Sequence, residues 1–197
     1  MLVSGIEILN HAHENGYAVG AFNVNNMEQV HAIISAAEET RSPVIIQASQ
    51  GGLKYAGVEY IAAMVKVAAK NATVPVALHL DHGTDFTQIM LCLRNGFTSV
   101  MIDGSHYDFE ENIEKTKRVV EMGHAVGVSV EAELGKIGGT EDDVSVDEKD
   151  ATFTDPEEAV EFVKRTGVDF LAIAVGTAHG PYKGDSKLDF DRIKTTQ

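Results

Sequence analysis

Cysteine is nearly missing from this chain: one, Cys92, occurs in 197 residues. No internal disulfide framework can form, and the usage fits a reducing compartment, so a cytoplasmic location is expected. Cys92 lies in the apolar helical run Ile89-Met90-Leu91-Cys92-Leu93 and reads as core packing. Long hydrophobic runs are lacking too. None approaches the ~18 residues of a membrane span, and the N-terminus passes straight into an amphipathic pattern with acidic residues, so no signal peptide is expected. Positive charge is scarce: 16 Lys and Arg stand against 30 Asp and Glu, a net charge of −14. That balance argues against nucleic acid and anionic membrane as partners. A GxGxxG after the first strand-like segment is also absent, which weighs against a dinucleotide-binding fold.

What remains suits a single globular domain over residues 1–197, with 44% hydrophobic and 23% charged residues. Two periods alternate along it. Ser4-Gly5-Ile6-Glu7 has a capping-box pattern and opens a helix through His13. Residues 18–23 form a small-residue strand. Val30, Ile33, Ile34 and Ala37 then mark one buried stripe of a helix over 27–39. Residues 43–47 are a second strand, followed by a helix over 58–70. A third strand starts at Val74 and ends in His79-Leu80-Asp81-His82-Gly83. A helix over 85–94, a strand over 99–102, a helix from Asp108 to Gly123 and a strand over 126–130 come next. After a polar segment, Asp155-Pro156 opens a helix ending near Gly167, and residues 170–174 form the sixth strand.

Strands separated in this way by helices or loops are the mark of consecutive βα units. The third strand has Val74, Val76, Leu78 and Leu80 on one parity and Ala77, His79 and Asp81 on the other. Apolar groups on both faces suit a parallel sheet covered by helices, whose chemistry collects at the carboxyl ends of the strands. Here every strand ends polar: Asn23, Ser49, Asp81 and His82, Asp103, Glu131 and Glu133, His179. A doubly wound sheet concentrates such groups at one switch point, whereas a barrel spreads them around a ring. The expected fold is a (β/α)8 TIM barrel.

Around that ring, His82 and His179 stand on different strands, each followed by glycine, with carboxylates nearby. A lone histidine at a strand end is usually a polar cap. Two, with acids beside them, make a site for Zn2+ or another divalent ion. His106 is the only other candidate ligand; His11, His13, His31 and His124 fall in helices, and His79 is expected to hydrogen-bond inside the barrel. Gly83 is read as freeing the backbone to turn. Residues 135–153, rich in glycine and acids, read either as a solvated loop or as a mobile active-site loop that brings a carboxylate over substrate. The free amides and lysine of Gly180-Pro181-Tyr182-Lys183-Gly184 suit a phosphate.

These motifs together carry a family resemblance. Gly16 to Asn23, His79-Leu80-Asp81-His82-Gly83, Ser99 to Asp103, Val130-Glu131-Ala132-Glu133-Leu134-Gly135 and His179 to Gly184 resemble the class II, metal-dependent fructose-1,6-bisphosphate aldolases and the related tagatose-bisphosphate aldolases. The resemblance implies reversible cleavage of a ketose bisphosphate to dihydroxyacetone phosphate and glyceraldehyde 3-phosphate, in glycolysis and gluconeogenesis. It implies a homodimer or homotetramer, and a monovalent cation (Na+ or K+) beside the zinc. His82 and His179 resemble zinc ligands, with Glu133 and Asp103 as flanking carboxylates able to hold the metal in an alternative position. Asp81 resembles the acid/base acting on the C4 hydroxyl, and Glu141 the loop acid that takes the proton from dihydroxyacetone phosphate. Asn23 and Ser49 resemble substrate contacts, and Gly180 and Lys183 part of the phosphate and cation site. The chemistry is consistent with this: a Lewis acid stabilises the enediolate charge, and separate groups move protons at each end of the bond.

Two departures qualify the resemblance. The family's third zinc histidine, on a seventh strand, and the phosphate contact on an eighth are not in this sequence, which holds about six of the eight βα units. Thr140 stands where some members carry a second loop acid. Residues 1–197 alone are therefore expected to have low stability and little aldolase activity. Three alternatives stay open: a tagatose-bisphosphate aldolase, a Schiff-base aldolase, which would need a lysine on a strand, and a non-catalytic fragment that keeps a metal or phosphate pocket.

Overall fold

A computed structural model describes residues 1–141, 144–146, 151–180 and 187–196, with Glu141 and residues 144–146 described by backbone alone. Helix α1 (Gly5–Asn15) is capped by Ser4, whose side chain accepts from the Glu7 amide, and stops at Gly16 in the left-handed conformation. Strand β1 (Gly20–Asn23) leads to α2 (Met27–Thr40), which is capped by Asn26. Strand β2 (Val44–Ser49) runs directly into a short helix, α3 (Gln50–Ala56), and then α4 (Val58–Asn71). Strand β3 (Val76–Gly83) is followed by α5 (Phe86–Arg94) and β4 (Ser99–Ile102). Helix α6 (Phe109–Ala125), capped by Asp108, precedes β5 (Ser129–Leu134).

After β5 come two short strands, β6 (Gly139–Glu141) and β7 (Val144–Val146). Helix α7 (Pro156–Thr166) has Asp155 as its cap and proline in its first turn, and β8 (Phe170–Ile173) and α8 (Phe190–Thr196) end the described chain. Six strands form one sheet in the order β1-β2-β3-β4-β5-β8, and every neighbouring pair is parallel. Chain order equals sheet order, as a barrel requires and a doubly wound sheet with its switch point does not, and the expected six of eight barrel units are present as a half-barrel.

Two cores follow from strand alternation. Val44, Ile46, Ala48, Val76, Leu78, Leu80, Val100, Val130 and Ala132 face outward and pack with helix residues such as Ile61, Val65, Ile89 and Phe162. The opposite parity faces inward, where Ile45 and Ala77 meet Val3 and Ile8. This inner cluster, with α1 beneath it, closes the amino-terminal end of the half-barrel. Gly5 must be glycine there, because an added Cβ would lie 2.8 Å from Ser99 Oγ.

Four expectations change in detail. Helix α6 runs to Ala125 and the chain turns at Gly127, with φ of 72°, so the fifth strand begins at Ser129 rather than Val126. Glu131 and Glu133 therefore lie within the strand rather than beyond it. Helix α3 is additional to the helices expected from the sequence: Ser49 accepts the Gly52 amide and nucleates a turn. The segment expected to be a loop over 135–153 contains an antiparallel hairpin of β6 and β7; its residues 142–143 and 147–150 lie outside the described residues. Finally, the turn after Asp81 is made by His82, not Gly83, as described next.

Candidate active site

The inward parity of the strands loads one end of the half-barrel with polar groups. Asp81, Asp103 and Glu133 are all buried there, at 7%, 1% and 2% exposure. Just below them the buried His79 contacts Ser99 Oγ through Nδ1 at 2.8 Å and Glu131 through Nε2 at 3.2 Å. That link spans β3, β4 and β5 and satisfies the internal hydrogen bonding expected of His79.

His82 should face outward, since Asp81 faces inward. It does not, because its backbone turns into the left-handed region with φ of 48°, and the pairing of β3 with β4 slips between Leu80 and Gly83. Both neighbours thereby address the same interior. Gly83 allows the kink by being small: a Cβ would sit 2.5 Å from the Met101 carbonyl oxygen. Strain of this kind, of order 1–3 kcal/mol, persists where the surroundings over-determine it and marks functional positions.

The kink puts His82 Nδ1 at 2.9 Å from Asp103 Oδ2 and 3.5 Å from Glu133 Oε2, while Nε2 is 4.0 Å from Asp81 Oδ1. Burial alone would lower the histidine's pKa, but the Asp103 hydrogen bond and the charges of Asp81, Glu133 and Asp103 raise it to about 9. Glu133 is pushed up to about 8, first by burial and then by the Asp103 charge. Asp103 is itself disfavoured by burial, yet the hydrogen bonds from His82 and from the Ser105 hydroxyl and amide hold it below its ordinary value. Asn112 on α6 donates to the Glu133 carbonyl, and Gly104 makes room for that amide.

One atom is left over. Glu133 Oε2 is buried and accepts no hydrogen bond. Ligand atoms of His82, Asp103 and Glu133 all lie within 4.8 Å of one another. A nitrogen and two carboxylate oxygens converging around an orphaned buried oxygen fit a divalent cation that accepts mixed N and O ligands. The His179 ring stands beside His82, centroids 5.2 Å apart and nearly perpendicular. It is held there by the loop: His179 N donates to the Gly138 carbonyl at 2.9 Å.

The remaining candidates divide. Asn23 Nδ2 donates to Asp81 Oδ2 at 2.8 Å. Ser49 pairs with Asp81 in the ladder, and its hydroxyl caps α3. Gly180 is exposed with φ of 75°. His106 is exposed against Tyr107, outside the cluster. The side chain of Glu141 and the whole of Lys183 lie outside the described residues. Sequence reasoning missed Gln47, whose Nε2 donates to Asn23 Oδ1 at 2.8 Å. Its parity with Ser49 was the available signal.

A family model described as fructose-bisphosphate aldolase class-II matches residues 3–197. A fructose-bisphosphate aldolase of Thermus caldophilus is 58% identical over 195 residues, which are 98% of this chain and 64% of that protein. A sulfofructosephosphate aldolase of Alkalicoccus urumqiensis is 49% identical over 192 residues, 98% of this chain and 67% of its own length. Among solved structures, the YdjI aldolase of Escherichia coli K12 superposes with a TM-score of 0.87 at 40% identity, covering 100% of this chain and 69% of that one. The chain thus spans about 64% of the length of the first curated relatives it matches.

Proposed function

The chain belongs to the class II fructose-bisphosphate aldolase family, and from that premise we propose that it carries the metal and acid/base machinery of reversible aldol cleavage of fructose 1,6-bisphosphate to dihydroxyacetone phosphate and glyceraldehyde 3-phosphate. The observation that carries the reading is the His82–Asp103–Glu133 cluster with Asp81 beside it, at the carboxyl ends of parallel strands. His82, Asp103 and Glu133, with His179 alongside, are the residues that would hold the ion, which we take to be Zn2+. When bound, it supplies Lewis acidity for the charge that develops as the carbon–carbon bond opens.

The protein's own groups move the protons. In cleavage Asp81 takes the proton of the C4 hydroxyl, and in condensation it returns it. Asn23 occupies Oδ2 of that carboxylate, which leaves Oδ1 for the transfer. Glu141 is assigned the proton of dihydroxyacetone phosphate at the other end of the bond. Ser49 and Asn23 are assigned contacts to substrate, and Gly180 and Lys183 to phosphate and a monovalent cation (Na+ or K+). The reading extends to a cytoplasmic homodimer or homotetramer acting in glycolysis and gluconeogenesis, as the family assignment supports. Among the described residues no helix is long and apolar enough to cross a membrane.

The similarity to a sulfofructosephosphate aldolase favours a second reading of the substrate, in which the same site takes a different ketose phosphate. Tagatose bisphosphate is the test case. A Schiff-base route would need a lysine on a barrel strand, and the described strands carry none. The experiment is chelation in parallel with borohydride. Loss of cleavage in chelator without covalent capture of substrate supports the metal route, and capture on a lysine would refute it. Relative kcat/KM for fructose and tagatose bisphosphates decides the substrate.

A further inference from the structure

Three strands contribute one side chain each to a hydrogen-bonded line at the mouth of the half-barrel. Gln47 on β2 donates from Nε2 to Asn23 Oδ1, and Asn23 on β1 donates from Nδ2 to Asp81 Oδ2 on β3, both at 2.8 Å. In the ladder Asn23 sits opposite Gln47, whereas Asp81 sits opposite Ser49 two residues farther along. Asn23 therefore reaches diagonally over β2, and among the described residues its carboxamide is held by Gln47 and Asp81 alone.

A carboxamide has two nearly isosteric faces, one donating and one accepting. An ionised aspartate only accepts, so only the NH2 face can bond to Asp81. With the oxygen turned toward Asp81, two acceptors would meet. Asp81 thus turns the oxygen of Asn23 toward Gln47, and Gln47 Nε2 reinforces that choice by donating to it, which leaves the NH2 for Asp81. We propose that Gln47 is a positioning residue for the acid/base carboxylate, acting through the amide orientation of Asn23. The arrangement ties down Oδ2 and directs Oδ1, which lies 4.0 Å from His82 Nε2, toward the reacting hydroxyl. This rests on the assignment of Asp81 as the acid/base.

An exchange of one atom makes the idea testable. Gln47→Glu keeps the size of the side chain but replaces the donor with an acceptor, which calls for the NH2 of Asn23 and turns its oxygen to Asp81. Gln47→Met removes the donor without reversing the amide. Steady-state cleavage is measured on the complete, Zn2+-loaded chain, with zinc content and thermal melting as controls. We expect kcat for Gln47→Glu to fall on the order of tenfold below that of Gln47→Met, with KM within about threefold and zinc retained. In an Asn23→Ala background both substitutions should add nothing further.

A purely packing role would order the variants the other way, with the near-isosteric Glu milder than Met. That order would overturn the proposal. So would a Gln47→Glu defect that persists without Asn23, since the new charge would then act on Asp81 directly. The crystal structure of Gln47→Glu is a readout independent of turnover: we expect the Asn23–Asp81 separation to open beyond hydrogen-bonding range, and an intact bond overturns the proposal. Asp81→Ala separates the two levels. If it retained turnover, the acid/base assignment would fail and the proposal with it. If it is inactive while Gln47→Glu is no worse than Gln47→Met, only the proposal fails.

Discussion

His82 and Asp81 are adjacent, yet the left-handed turn at His82 lets both side chains enter one interior and take different work. The imidazole is tied to Asp103 and Glu133, while Asp81 is tied to Asn23 through Oδ2, and in the proposed mechanism Oδ1 serves the substrate. We therefore expect Asp81→Ala to keep its zinc but lose about 10²–10⁴-fold in cleavage, the usual range of a general acid–base contribution. Metal analysis beside steady-state kinetics checks this. A variant that loses zinc would make Asp81 a structural residue.

The charges of the cluster give a pH signature in the metal-free protein. His82 is raised from 6.5 to about 9, and Glu133 from 4.5 to about 8. Each group binds its proton more tightly in the folded state than in the unfolded one. The stability it contributes is complete below its unfolded value and is lost as pH rises through its folded value. Asp103 is lowered, and its contribution is lost only as pH falls through the acid range, outside this window. The chelated protein should therefore melt at falling temperatures from pH 6 to pH 9. Zn2+ needs both groups deprotonated, so binding near pH 7 should release roughly two protons, and affinity should rise with pH. Melting curves with chelator and with Zn2+ test the sign. A chelated form that gains stability from pH 6 to pH 9 would contradict the assigned couplings.

Among the secondary-structure elements, the hairpin of β6 and β7 is joined to the strap that carries His179. The Gly138 carbonyl accepts the His179 amide, and a Cβ on Gly139, where φ is 109°, would lie 2.4 Å from the His179 carbonyl oxygen. Gly139→Ala should push hairpin and strap apart and weaken zinc binding by on the order of tenfold, with little change in the melting of the helix-covered core. A chromophoric chelator in competition measures the affinity. An unchanged value would uncouple the loop from His179.

Much of this level was legible in the sequence, for definite reasons. Alternation of Ala77, His79 and Asp81 against Val76, Leu78 and Leu80 placed one set inward and the other against helices, as found. Asp85, Asp108 and Asp155 announced helix starts because their side chains accept first-turn amides. What escaped depends on contacts between distant segments. The turn at His82 is imposed by the slip against β4, which no local pattern contains. Helix α3 was hidden by Gly51 and Gly52, residues that ordinarily punctuate a loop. Gln47 looked like a strand residue, since its partner Asn23 is 24 positions away.

On the scale of the molecule, the parallel sheet has two edges, β1 and β8. All residues of β1 are exposed, and an apolar groove of about 500 Å³ runs beside it, lined by Tyr17, Phe22, Ile33 and Ala36. A parallel sheet is normally covered on both faces, and in a barrel its edges are closed on each other. The chain spans about 64% of the length of its first curated relatives, and the reading of its activity concerns the complete protein.

That reading stands on the cluster of His82, Asp103 and Glu133 being a metal site that serves aldol cleavage. Cleavage of fructose 1,6-bisphosphate by the complete chain should be followed while Zn2+ is titrated into chelated protein, with His82→Ala beside it. We expect turnover to be absent in chelator, to rise with Zn2+ to saturation, and to stay absent in His82→Ala at concentrations that saturate the unmodified chain. Turnover that persists in chelator, or that Zn2+ restores equally in His82→Ala, would show that the chemistry does not run through this site.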